Sequence, residues 1–207
     1  MAGQRQQGRP ALAGVITAGV AAIADDAAAM VDGAMAYTIR SARTRDVPVI
    51  RKLIDANVES GRLLSKATVT LYEDIQEFCV AELSAGTPLA GCGALHVMWE
   101  DLAEIRTVAV SEDCQGLGIG HGIVDTLLDR ARALGVQRVF VLTFAVDFFA
   151  GHGFREISGT PVAAEVYPEL LRSYDEGVAE FLDLEWVKPN TLGNTRMLLR
   201  LLPEREK

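Results

Sequence analysis

The chain has 207 residues, 49% of them hydrophobic, and a formal charge of −8. That length suits one domain with a full apolar core. The acidic balance excludes the clustered Lys and Arg that nucleic-acid binding requires, and no apolar run is long enough to span a bilayer, so neither nucleic acid nor a membrane is expected as a partner.

Residues 1–36 differ in character from the rest. The stretch ALAGVITAGVAAIADDAAAM, which follows Arg5 and Arg9, imitates a secretory signal, but it lacks leucine bulk and meets Asp25 and Asp26 where a cleavage site would stand. A loose helix, a disordered arm and an over-extended start remain open for this alanine-rich segment. From Tyr37 the punctuation becomes regular. YTIRSA alternates as a first strand, and Asp46 is placed to cap VPVIRKLIDANV, whose apolar residues recur at helical spacing. TVTLYEDI predicts a second, short helix. EFCVAEL and LAGCGALHVMW predict two strands around the turn SAGTP, and LAEIRTVAV the strand after them. Ile119, Ile123, Val124, Leu127, Leu128, Ala131 and Leu134 form one apolar stripe of a helix that Gly135 ends. RVFVLT is apolar throughout, as in a central strand covered on both faces; VDFFAGHGF is a short helix and turn, and RMLLRL a final strand. One domain over residues 37–201 with a tail at 202–207 is the expected organisation. Cys79, Cys92 and Cys114 are odd in number and lack metal-site spacing. Buried thiols in a reducing cytoplasm are expected, with no metal.

The segment VAVSEDCQGLGIGHG, residues 108–122, holds glycines at 116, 118, 120 and 122 directly before the apolar-striped helix. Glycines admit close approach, and a helix N-terminus offers unpaired N–H groups with a favourable dipole, so a phosphate is the natural ligand. A dinucleotide fingerprint fails in every register: counted from Gly116, Gly118 or Gly120, its last glycine falls on His121, Ile123 or Asp125. No Gly-Lys-Ser/Thr follows, which rules out a Walker loop. Taken alone, the stretch is equally an ordinary glycine-rich strand-to-helix turn.

Gln115-Gly116-Leu117-Gly118-Ile119-Gly120 resembles the Arg/Gln-x-x-Gly-x-Gly/Ala signature of the GNAT superfamily of N-acetyltransferases. The order β-α-α-β-β-β-loop-α-β-α-β and the closing GHGF are similar to that family as well. The resemblance implies an α/β fold with a mixed central sheet of six to seven strands flanked by helices, the cofactor loop lying between the fourth strand and the next helix. It implies acetyl-CoA as co-substrate, its pyrophosphate held by backbone from Gln115 through Gly116, Leu117, Gly118, Ile119 and Gly120 to His121. FVLTFAVDFFAGHGF, GRLLSKATVTLYEDIQEFCVAE and GCGALHV further resemble segments of N-acetylglutamate synthases. The implied reaction is acetyl transfer to the α-amino group of glutamate, the first step of arginine biosynthesis, with glutamine also open. Longer relatives carry an arginine-binding kinase-like domain for which this chain has no room, so whether feedback by arginine is inherited stays open. Self-association into a homodimer is left open.

An unprotonated amine attacks a thioester directly, so the site must supply orientation, a proton route and oxyanion donors. The resemblance assigns the thioester carbonyl to the Val108 amide and the pantetheine arm to Val110. Glu104 is the candidate base, acting through water; its even spacing from Val108 predicts a shared strand face, while a solvated or Arg106-paired carboxylate is the alternative. Phe149 stands where many members of the family place an acidic tyrosine, and is expected to be pocket wall beside the cofactor. For an amino-acid acceptor the candidates are Lys66, His96, Arg106 and His152 for its carboxylate, with Leu142 and Thr143 backbone for its amine. Relatives often have lysine at position 96 and arginine at 152, and the weaker positive charge here favours glutamine. Two other functions compete: acetyl transfer to another small amine or a protein N-terminus, and a non-catalytic acetyl-CoA-binding regulatory module.

Overall fold

The computed structural model describes residues 27–29, 37–59, 63, 66–83, 88–160, 162–173, 182 and 193–201. Eight strands form one mixed sheet: β1 (Ala27–Ala29), β2 (Tyr37–Ser41), β3 (Phe78–Glu82), β4 (Leu89–Trp99), β5 (Leu102–Val110), β6 (Arg138–Thr143), β7 (Arg155–Glu156) and β8 (Thr195–Arg200). Their spatial order is β1-β2-β3-β4-β5-β6-β8-β7. Among the described pairings only β5 and β6 are parallel, and α3 (Ile119–Ala133) makes the crossover that a parallel pair needs. The other helices are α1 (Val47–Glu59), α2 (Thr68–Glu73), α4 (Val146–Gly151) and α5 (Tyr167–Leu170). Seven strands lie within the predicted range; the eighth is the three-residue β1 on the edge of β2. Expectations for the rest of residues 1–36, for the turn at 84–87 and for the tail at 202–207 fall outside the described residues.

Both sheet faces are covered, and sequence periodicity explains how. The stripe on α3 buries Ile119, Ile123, Val124, Leu127, Leu128 and Ala131 against Ala103, Ile105, Val139 and Val141. On the opposite face Val47, Ile50 and Ile54 of α1 pack with Leu71, Phe78, Val80, Cys92 and Ala109. Each such Leu or Ile stabilises the fold by about 1.5–3 kcal/mol. Strand β6 sends Val139 and Val141 into the first core and Phe140 into a third cluster with Met98, Leu102 and Leu198, which is why its sequence is apolar throughout.

Two local expectations fail. Leu134 is exposed, because it is the C-cap of α3 and the chain turns through Gly135 before another helical turn can bury it. Asp46 does not cap α1. It ends a short 3-10 turn, where its carboxylate accepts the Arg43 amide at 2.7 Å and two bonds from the Arg40 guanidinium.

Candidate active site

The ladder between β5 and β6 ends at Glu104 and Phe140. Strand β5 then bends: its register with β4 slips between Cys92 and Ala94, and Thr107 adopts φ 59°, a left-handed conformation that a β-branched residue rarely tolerates. This bulge gives β5 one extra residue and turns it away from β6. A cleft of about 420 Å³ opens between them. Ile105 to Val108 line one wall, Val141 to Ala145 the other, with Phe148, Phe149 and Asn57 at its ends.

The bulge also resets which side chains share a face. Simple alternation puts Glu104 with Val108, but Ala103 and Ile105 pack toward α3 and, past Thr107, so do Val108 and Val110. Ala109 belongs to the opposite core. Glu104 therefore lies on the face opposite the Val108 side chain, in register with His96 on β4 and Phe140 on β6. It is only 5% exposed and is not among the residues lining the cleft. Val108 does line it, as do Leu142 and Thr143; Val110 sits further out, beside a second groove that includes Gln115.

Beyond β5 a short 3-10 turn, Glu112–Cys114, leads into the glycine loop. Gly116 and Gly118 both have positive φ, 79° and 77°, and Gly118 is the N-cap of α3. A Cβ built on Gly116 would meet nothing within 4 Å, so the loop backbone faces open space, while Leu117 packs against the core and anchors it. Ile119 and Gly120 begin the helix, whose first amides have no intrahelical acceptor and sit at the positive end of its dipole. Bare backbone, an open side and a long helix behind it fit the pyrophosphate of acetyl-CoA.

Two histidines flank this end. The His121 ring lies 4.6 Å from Phe148 between centroids, and its Nδ1 is 2.8 Å from His152 Nε2. His152 Nδ1 is in turn 3.1 Å from the Asp125 carboxylate. His152 thus belongs to the α3 side, and the structure does not bring it to the other proposed acceptor cations. Phe149 is buried, meets Phe148 and Phe154 edge-on and lines the cleft.

On the other side, Arg106 donates to Glu77 Oε2 at 2.9 Å and to Asp74 Oδ2 at 3.4 Å. His96 Nδ1 lies 2.7 Å from Glu77 Oε1 and 3.1 Å from Arg106 Nη2. One ring nitrogen cannot both donate to Glu77 and accept from Arg106, so the ring's tautomer chooses between them. Two carboxylates already surround the guanidinium that lines the cleft. Lys66 is half-buried outside it; the contact seen there is its carbonyl, which accepts Arg51 Nη1 at 2.6 Å. Sequence reasoning missed Asp74, Glu77, Asn57 and Phe148. The two acids lie at a break in helical periodicity that carries no motif, whereas Asn57, a polar residue in the last turns of an apolar-striped helix, was a usable signal.

Comparison with known proteins places this geometry. The model of the Acetyltransferase (GNAT) family matches residues 49–154. A Mycobacterium tuberculosis protein named amino-acid acetyltransferase is 62% identical over 165 residues, covering 79% of this chain and 94% of that protein. An amino-acid acetyltransferase of Neisseria meningitidis is 37% identical over 123 residues, and this chain spans 28% of its length. Among solved structures, a Mycobacterium tuberculosis protein in complex with CoA superposes with a TM-score of 0.76 at 62% identity, covering 79% of this chain and 99% of that one. N-acetylglutamate synthase from Neisseria gonorrhoeae, complexed with coenzyme A and N-acetyl-glutamate, gives 0.64 at 28% identity, covering 80% of this chain and 35% of that one. The chain belongs to the GNAT acetyltransferase family and is an acyltransferase.

Proposed function

We propose that the protein transfers acetyl from acetyl-CoA to the α-amino group of glutamate, as an N-acetylglutamate synthase at the entry to arginine biosynthesis, with glutamine as the second acceptor. The observation that carries this reading is the cleft: it runs from Val108, six residues before the end of the turn that opens the glycine loop, to the half-buried Arg106 on the same strand. The similarity to amino-acid acetyltransferases and to a synthase complexed with N-acetyl-glutamate supports an amino-acid acceptor.

Bound acetyl-CoA supplies the activated acyl group, and the unprotonated acceptor amine forms the new C–N bond as the thioester C–S bond breaks. The Val108 amide donates to the carbonyl oxygen as negative charge builds there. Glu104, opposite that strand face, takes the ammonium proton through water. Phe149 has no proton to give, so the thiolate is reprotonated by solvent. Leu142 and Thr143 backbone orients the amine, and Arg106 with His96 orients the α-carboxylate. Lys66 and His152 are given no part: neither joins the Arg106–His96 cluster, Lys66 meeting Arg51 through its carbonyl and His152 pairing with His121 and Asp125.

The same cluster supports glutamine as the second acceptor: Arg106 already faces Glu77 and Asp74, and a neutral γ-amide needs no further cation beside them. The test is release of CoA thiol from acetyl-CoA with each of the twenty amino acids. Turnover confined to glutamate and glutamine is the expected result. Turnover with small primary amines or peptide N-termini, and with no amino acid, would replace this reading.

A further inference from the structure

Tyr37 opens β2, far from the glycine loop in sequence, yet its hydroxyl donates to the Gly118 carbonyl at 3.2 Å. The ring is 5% exposed. The same carbonyl accepts the Gly122 amide at 3.0 Å, closing the first turn of α3. Two hydrogen bonds therefore hold one peptide plane, at the residue where the loop turns left-handed. A peptide plane is rigid: the carbonyl of Gly118 and the N–H of Ile119 belong to one unit and point in opposite directions. Holding the oxygen inward aims that N–H outward from the helix N-terminus, where it has no intrahelical acceptor.

The fourth glycine of the run has its explanation here. Gly122 lies beyond the acetyltransferase signature, and a Cβ on it would stand 2.7 Å from the Tyr37 hydroxyl, 3.1 Å from the ring Cε2 and 3.0 Å from Ile39 Cδ1. No side chain at 122 fits while Tyr37 keeps its place. Burial, and then the nearby Asp125 carboxylate, push the phenol above its ordinary range, so the hydroxyl keeps its proton and remains a donor.

We propose that Tyr37 is a positioning residue for coenzyme A: its hydroxyl fixes the Gly118–Ile119 peptide with the amide turned toward the pyrophosphate, and position 122 is glycine to admit it. This rests on the loop's holding CoA and is independent of which acceptor is used.

The experiment is calorimetric titration of CoA into the wild-type chain, Tyr37→Phe, Gly122→Ala and the double variant, with melting of each unliganded protein in parallel. Loss of one hydrogen bond worth about 0.5–1.5 kcal/mol should raise the Kd of Tyr37→Phe about two- to twelvefold. The KM for acetyl-CoA should rise by the same factor as the Kd. Gly122→Ala should raise the Kd at least as much, and the double variant should fall short of the product of the two, because removing the hydroxyl relieves the closest clash. If Tyr37→Phe melts lower yet binds CoA as the wild type does, Tyr37 is structural only and the proposal is overturned, whether or not Gly122→Ala folds. If the wild-type chain itself does not bind CoA, the reading of the loop fails with it.

Discussion

Two regions beside the cleft are built from different material. The proposed cofactor end is backbone: positive-φ glycines, helix amides and an open side, drawn from one stretch between Gln115 and His121. The proposed acceptor end is side chains from separated elements, with Arg106 on β5, His96 on β4, and Asp74 and Glu77 from the turn that follows α2. A backbone site works through conformation and tolerates most side-chain changes that leave φ alone. A charge cluster works through pairing, so removing one member leaves the others exposed to an uncompensated cost.

The largest effect should come from breaking the cluster. Arg106→Ala leaves Glu77 and Asp74 facing each other across a half-buried gap, and is expected to cost about 3 kcal/mol of stability. Denaturant unfolding reads that loss, and kinetics at saturating acetyl-CoA should show acceptor KM raised about tenfold or more. Coenzyme A affinity should barely change. At the other end, Gly118→Val forces a β-branched residue into φ 77°, at a cost of about 2 kcal/mol, or roughly thirtyfold in the Kd for acetyl-CoA. There the acceptor KM at saturating cofactor should hold. Equal effects of both variants on both substrates would erase the distinction between the two ends.

A smaller effect concerns the support beneath α1, whose Asn57 reaches the cleft. Burial alone would push the Asp46 carboxyl up, but bonds from Arg40 and the Arg43 amide, with the charges of Arg40 and Arg45, together hold it below its usual value. A carboxyl depressed in the fold stabilises it at pH values above the unfolded pKa of about 4, and that contribution is lost as pH falls through the folded value. Asp46→Asn should therefore cost about 1.5 kcal/mol at pH 7 and flatten the acid limb of the stability profile below about pH 4. An acid limb identical to that of the wild type would remove Asp46 as its source. The smallest change is expected from a chain beginning at Tyr37, which drops β1 and the alanine-rich segment before it: kcat should stay within about twofold. A large loss of kcat in a truncated chain that still folds would give that segment a part in the site.

The fold was legible because its signals are local. Period-3.6 stripes, alternation and glycine punctuation each lie within a dozen residues, and α3, β6 and the loop carry them without interruption. The shape of the glycine loop was legible for the same reason. The cluster around Arg106 was not, because Glu77 and Asp74 meet Arg106 and His96 only after the sheet has assembled, and nothing in their own neighbourhoods marks them. Thr107 shows the limit most sharply. Alternation from Glu104 to Val108 gave the wrong face, since a bulge at one threonine inserts a residue and no sequence rule announces a positive φ at a β-branched position. His152 was misplaced in a similar way, drawn by Asp125 and His121 toward α3. Tyr37 escaped notice as well, its partner lying across the sheet-to-helix packing.

The division between a backbone end and a charge-cluster end is tested most directly by titrating acetyl-CoA calorimetrically into the wild-type chain, Gly118→Val and Arg106→Ala under one set of conditions. Wild type and Arg106→Ala should bind alike, with Gly118→Val weaker by roughly thirtyfold. An undiminished affinity in Gly118→Val, or an Arg106→Ala affinity reduced as far as that of Gly118→Val, would contradict it.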